Sequence, residues 1–151
     1  MAVADRLAEL GIELVGYKPQ AKYVGAVTAG DLVFVSGAGP AKPEGGFVMG
    51  KVGADLDVAA AADAARLCII SSLSALNAEI GDLERVKRIV KLLGFVNSVP
   101  GFTQQPSVID GASELLVSLF GENGWHARSA VGVAELPFNI AVEIEMVVQI
   151  A

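Results

Sequence analysis

Val142-Glu143-Ile144-Glu145-Met146-Val147-Val148-Gln149-Ile150 decides the fold class, because an apolar side chain falls on every second residue from Val142 to Ile150. A period of two marks a strand with one face in a core. Glu143 and Glu145 therefore lie on the face away from the core, with Val147 and Gln149. Just upstream, Arg128 to Glu135 is predicted as a second strand, with Arg128, Ala130, Gly132 and Ala134 on one side. Leu136-Pro137-Phe138-Asn139 turns the chain between the two.

Further toward the N-terminus the period changes to that of helices. Asp57 to Ile80 reads as the longest helix, capped by Asp57, rich in alanine from Ala59 to Ala65 and ended by Gly81. Ala61, Ala64, Ala65, Cys68, Ser72, Ala75 and Leu76 fall along one face, small residues that let a helix lie close on a sheet. Pro106 to Phe120, ended by Gly121, is a second helix, and Val86 to Asn97 has strand composition with Gly94 inside it. Tyr23 to Val27 and Leu32 to Ser36 read as a hairpin turned at Thr28-Ala29-Gly30-Asp31. Val3 to Leu10 is a short helix stopped by Gly11 and linked onward through Pro19. Residues 1–151 thus form one domain, with the first helix and link over 1–20 and a core from about 21 onward. Two helices that each bury one face belong on the same side of one sheet, which predicts an α+β two-layer sandwich with a mixed sheet.

The opposite face of that sheet then needs a cover. Of 151 residues 53% are hydrophobic and only 19% charged, and mean hydropathy is +0.55. A lone domain of this size would display apolar surface, so a membrane or a partner chain is expected. The longest stretch without a charge, Leu92 to Ile109, holds Asn97, Ser98, Pro100, Thr103, Gln104, Gln105 and Pro106, which disfavours a membrane span. Asp5, Arg6 and Glu9 interrupt any signal-peptide core. The expectation is a soluble cytoplasmic oligomer.

Seventeen acidic against eleven basic residues give a net charge of −6, the wrong sign for a nucleic-acid partner. The run Arg85, Lys87, Arg88, Lys91 is read as a solvated strand edge. One cysteine excludes an internal disulfide, and one cysteine with one histidine does not make the usual zinc sites, so no metal is expected. Cys68 reads as a buried small residue. Arg128 is a candidate for holding a carboxylate through parallel hydrogen bonds, or else an ordinary cation paired with Glu122 or Glu135. His126 reads as structural, with no serine or cysteine evidently aimed at it. Ser36-Gly37-Ala38-Gly39 offers backbone donors or is a plain turn, and Tyr23 either closes a pocket or packs.

Arg128-Ser129-Ala130-Val131, Leu136-Pro137 and Val142-Glu143-Ile144-Glu145 together resemble the Rid family, also called YjgF or reactive intermediate deaminases. The resemblance continues through Tyr23, Gly30-Asp31-Leu32-Val33-Phe34-Val35-Ser36-Gly37, Pro40 and Phe120-Gly121-Glu122, from about residue 20 onward. It implies a chorismate-mutase-like homotrimer with clefts between subunits. It also implies hydrolysis of enamines or imines, such as 2-iminobutanoate and 2-iminopropanoate, to keto acids and ammonia, with no cofactor. The family's arginine falls on Arg128, which would hold the substrate carboxylate. The carboxylate that positions water falls on Glu143, fifteen residues later as in the family. Tyr23, Ser36 and Gly37 would line the cleft. Ala130 stands where the archetypal members have cysteine, and Ser113 where they have asparagine. These departures, the N-terminal helix and the segment Val99 to Pro106 resemble a divergent subgroup, for which a carboxylate-binding protein without catalysis is the alternative. Some relatives have been described as ribonucleases or translation inhibitors, a reading the acidic balance disfavours.

Overall fold

A computed structural model describes every residue except Tyr17, Pro19 and Gln20, so the expected link through Pro19 lies outside the described residues. In chain order the elements are α1 (Val3–Glu9), β1 (Ala26–Ala29), β2 (Leu32–Ala38), α2 (Val58–Ile80), β3 (Val86–Asn97), α3 (Gln105–Phe120), β4 (Ala127–Val133) and β5 (Val142–Ile150).

The Asp57 carboxylate accepts from the Ala60 N–H at 2.8 Å and so caps α2. Gly81, at φ 84°, ends it in the left-handed conformation that costs glycine little. The small-residue face from Ala61 to Leu76 is buried, Cys68 included. This allows α2 to lie on β2 and β5 while α3 lies on β3 and β4. The two helices also touch each other so closely that a Cβ on Gly111 would run into the backbone of Ala62. By length and composition α2 is apolar enough to cross a membrane. Its apolar face is instead taken by the sheet.

The sheet runs β1-β2-β5-β3-β4. Among the described residues only the β3–β4 seam of the sheet is parallel, so the sheet is mixed and both long helices cover one face, the predicted two-layer α+β arrangement. Alternation in β5 is as the sequence predicts. Val142, Ile144, Met146, Val148 and Ile150 are buried, and Glu143 and Glu145 project from the other face. That open face carries the cross-strand row Val27, Phe34, Val147 and Lys91, in which Val27 and Phe34 stay about half exposed, at 52% and 49%.

Several boundaries differ from the sequence reading, among them the end of the second strand, at Ala38 and not Ser36. Tyr23 precedes the first strand, which starts at Ala26, and the hairpin turn is the tighter pair Gly30-Asp31 because Ala29 still pairs with Leu32. Strand β4 ends at Val133, so Ala134 lies outside the row that Arg128, Ala130 and Gly132 form. The first helix is docked by Val3 and Leu7, which are buried, and by Arg6, which donates to the Leu119 carbonyl at 2.9 Å.

Candidate functional site

Arg128 pairs in register with Leu92, and Leu92 with Met146, both buried under the helices. The arginine therefore points to the covered face, but from an edge strand, so its guanidinium emerges beside α3 into a cavity of about 710 Å³. Pro106, Asp110, Ser113 and Val117 recur at helical spacing and present one stripe of α3 to that edge. Arg128 donates to Ser113 Oγ at 3.0 Å and to the Pro106 carbonyl at 3.3 Å, and it pairs with Asp110 at 2.9 Å. The partner is thus neither Glu122 nor Glu135. Glu135 instead pairs with Lys51 at 3.1 Å. Three of the five guanidinium N–H groups are engaged in these contacts, which leaves two for a ligand. Ala130, next along the covered face, packs against the core.

His126 precedes the strand and lines the same cavity. Its Nδ1 lies 2.7 Å from the Gly124 carbonyl and its Nε2 lies 3.0 Å from Ser113 Oγ. A serine is therefore aimed at this histidine, contrary to the sequence reading. Burial holds His126 below the ordinary imidazole value, outweighing the upward pull of the Gly124 bond, and the charge of Arg128 adds a lesser downward push.

Glu143 sits elsewhere. It pairs with Phe95 on β3, three residues beyond the Leu92 that Arg128 pairs with, and on the opposite face of the sheet. Its carboxylate rests over Gly37, where a Cβ would be only 2.9 Å from Oε2, so the glycine makes the room. Burial raises the Glu143 carboxyl above the ordinary range, and neighbouring Glu145 adds to it. Tyr23, half exposed, lines a second cavity of about 340 Å³ with Ser36 and Gly37. Ser36 Oγ donates to the Val24 carbonyl at 2.7 Å. The expected site residues thus form two groups, Arg128 with Ser113 and Ala130, and Glu143 with Gly37, Ser36 and Tyr23. Strand β3 and the thickness of the sheet separate them.

Among the described residues no three of His, Cys, Asp and Glu gather as a metal site. Cys68 is buried with its thiol 3.5 Å from the Val142 carbonyl. Burial, and then Glu143, pushes that thiol well above its usual range, so the thiolate nucleophile is disfavoured.

The Endoribonuclease L-PSP family model matches residues 15–150. The chain belongs to that family, the YjgF/Rid superfamily. Among its members, Protein TCP17 of Trypanosoma cruzi is 48% identical over 150 residues, 98% of this chain and 94% of the relative. The crystal structure of Atu1372 from Agrobacterium tumefaciens, a protein of unknown function, superposes with a TM-score of 0.92 at 46% identity, covering 99% of this chain and 94% of that one. A Shewanella oneidensis structure provisionally described as an endoribonuclease gives 0.94 at 28% identity over 99% and 100% of the two chains. These L-PSP relatives carry the same α+β fold along nearly the whole chain.

Two residues of the Arg128 group escaped the sequence reading. Asp110 was discoverable, because it stands on the stripe that Pro106 and Ser113 define. His126 was not, because its approach to Ser113 is made by the folding of the turn Gly121–Gly124.

Proposed function

We propose that the protein hydrolyses small enamines or imines bearing a carboxylate, as a cytoplasmic homotrimer in which the Arg128 group of one subunit faces the Glu143 group of the next. One observation carries this reading. Arg128 and Glu143 emerge from opposite faces of one sheet, so a small substrate reaches both only when a second copy supplies one of them. The half-exposed row on the open face is the surface such a copy would cover.

In this scheme the two unengaged N–H groups of Arg128 hold the substrate carboxylate. Protonation of the imine nitrogen makes its carbon electrophilic. Glu143 takes a proton from water as the oxygen bonds to that carbon, and its raised pKa brings it nearer the working pH, where a base also returns protons efficiently. The proton then goes to the nitrogen, the hydroxyl gives its own proton to Glu143 as it becomes the keto-acid carbonyl, the C–N bond breaks, and ammonia leaves. Most of the rate comes from holding water and carbon together, and no metal or organic cofactor takes part.

Coupling the purified protein to an amino-acid oxidase or a threonine dehydratase should accelerate keto-acid release. No acceleration across a panel of imines overturns the reading. The ion pair from Arg128 to Asp110 favours a second reading, a keto-acid-binding protein without turnover, since an internal carboxylate already occupies part of the fork. Calorimetry showing Arg128-dependent keto-acid binding with no turnover would select it. The net charge of −6 weighs against RNA as substrate despite the names of relatives, and an RNA-cleavage assay checks this.

A further inference from the structure

The deamination scheme leaves unused a hydrogen-bonded chain in the cavity beside Arg128. The Gly124 carbonyl has no proton to give, so the 2.7 Å bond to it fixes the proton of His126 on Nδ1. In the neutral ring Nε2 is then a bare lone pair, and Ser113 Oγ, 3.0 Å away, is the donor. Arg128 donates to the same oxygen, also at 3.0 Å. Ser113 is thus held between a base and a cation. The base is oriented by a third group, and the cation stabilises the alkoxide that loss of the proton creates.

The geometry points to Ser113 as a nucleophile, with His126 as its general base and the Gly124 carbonyl orienting the ring, that takes the acyl group of small carboxylic esters. Ser113 Oγ bonds to the acyl carbon as its proton passes to His126 Nε2, and the carbonyl electron pair moves onto the oxygen that Arg128 faces. Collapse breaks the bond to the alkoxy oxygen, which leaves as the alcohol with the proton from His126. Water repeats the sequence on the acyl-serine, releasing the acid and restoring the hydroxyl. Trp125 and Val117 give the cavity an apolar wall suited to an uncharged alkyl or aryl group. The charged groups around His126 are Arg128 on its own segment, Asp110 and Glu114 from α3, and Arg88 from β3, whose guanidinium reaches the Trp125 carbonyl at 3.3 Å. Burial and Arg128 keep the ring neutral at ordinary pH, the form a base requires.

A fluorophosphonate probe on the unmutated protein tests this without any variant. Peptide mapping should find the label on Ser113. Labelling elsewhere only, or none, overturns the proposal. With p-nitrophenyl acetate, Ser113→Ala and His126→Ala should each slow nitrophenolate release by about 100-fold or more, and the rate should rise with pH through a transition below the usual imidazole range. A wild-type rate no higher than that of Ser113→Ala overturns it as well. Neither readout depends on imine hydrolysis, so this proposal and the deaminase reading stand or fall separately.

Discussion

On the covered face of the sheet, Leu92 and Met146 share a row with Arg128 and are sealed by helices packed so tightly that Gly111 has no room for a Cβ. On the open face, Phe95 and Val131 share a row with Glu143, yet Val131 stays 42% exposed. The chain covers one face by itself and leaves the other open. Because the expected site residues are divided between these faces, stability, assembly and chemistry should respond to different substitutions.

The largest effect is expected on the covered face. Gly111→Val drives a side chain into the Ala62 backbone, which has no rotamer by which to yield. It should cost about 3 kcal/mol, visible as a lower urea midpoint, and an unchanged midpoint would mean that the helix contact is looser than described. Next is Arg128→Ala, which removes the proposed carboxylate anchor and strands Asp110. Keto-acid release should fall by about 100-fold, equivalent to about 2.7 kcal/mol, with the far-ultraviolet dichroism retained. On the open face, Val147→Asp adds a charge to the row of Val27 and Phe34. Light scattering should then report a monomer, while the helical dichroism and the thermal unfolding of that monomer remain cooperative. If Val147→Asp instead unfolds the chain, the two faces are not independent.

The smallest effect concerns pH. In the fold the Glu143 carboxyl titrates above its ordinary value, so the ionised form is the unfavoured one. Its contribution to stability is complete below the unfolded value and is lost as pH rises through the folded value. Glu143→Gln remains neutral, so it should melt slightly higher than the wild type at pH 7, with the gap closing as the solution is acidified. Calorimetric melting at a series of pH values checks the sign. A gap that widens in acid would mean that the carboxylate is stabilised as an ion.

Strand β5 was legible residue by residue because alternation is a local property, and helix α2 because its cap, its alanines and its terminal glycine all lie within the segment itself. Tyr23 was misassigned to a strand because aromatic and β-branched composition signals a strand without fixing where pairing with Val35 begins. The resemblance to the Rid family brought Arg128 and Glu143 to notice together, and alternation set Glu143 away from the core, but neither said which face Arg128 takes. That depends on which strand lies between them, and β3 comes from another part of the chain. Helical period placed Asp110 on the stripe with Ser113, but that this stripe docks beside Arg128, and that the turn Gly121–Gly124 carries His126 to Ser113, are tertiary events that composition does not encode.

The place of β5 in the sheet also bears on how the protein is made. The last strand in chain order lies at the centre, with β2 on one side and β3 on the other. A nascent chain that has not yet released residues 142–150 holds two separate ribbons, β1-β2 and β3-β4, with no seam to join them. The covered face cannot close during synthesis, and its apolar rows stay available to chaperones or to neighbouring nascent chains until the final strand slides between the ribbons. Loss of that strand alone would therefore remove the whole fold rather than trim its edge.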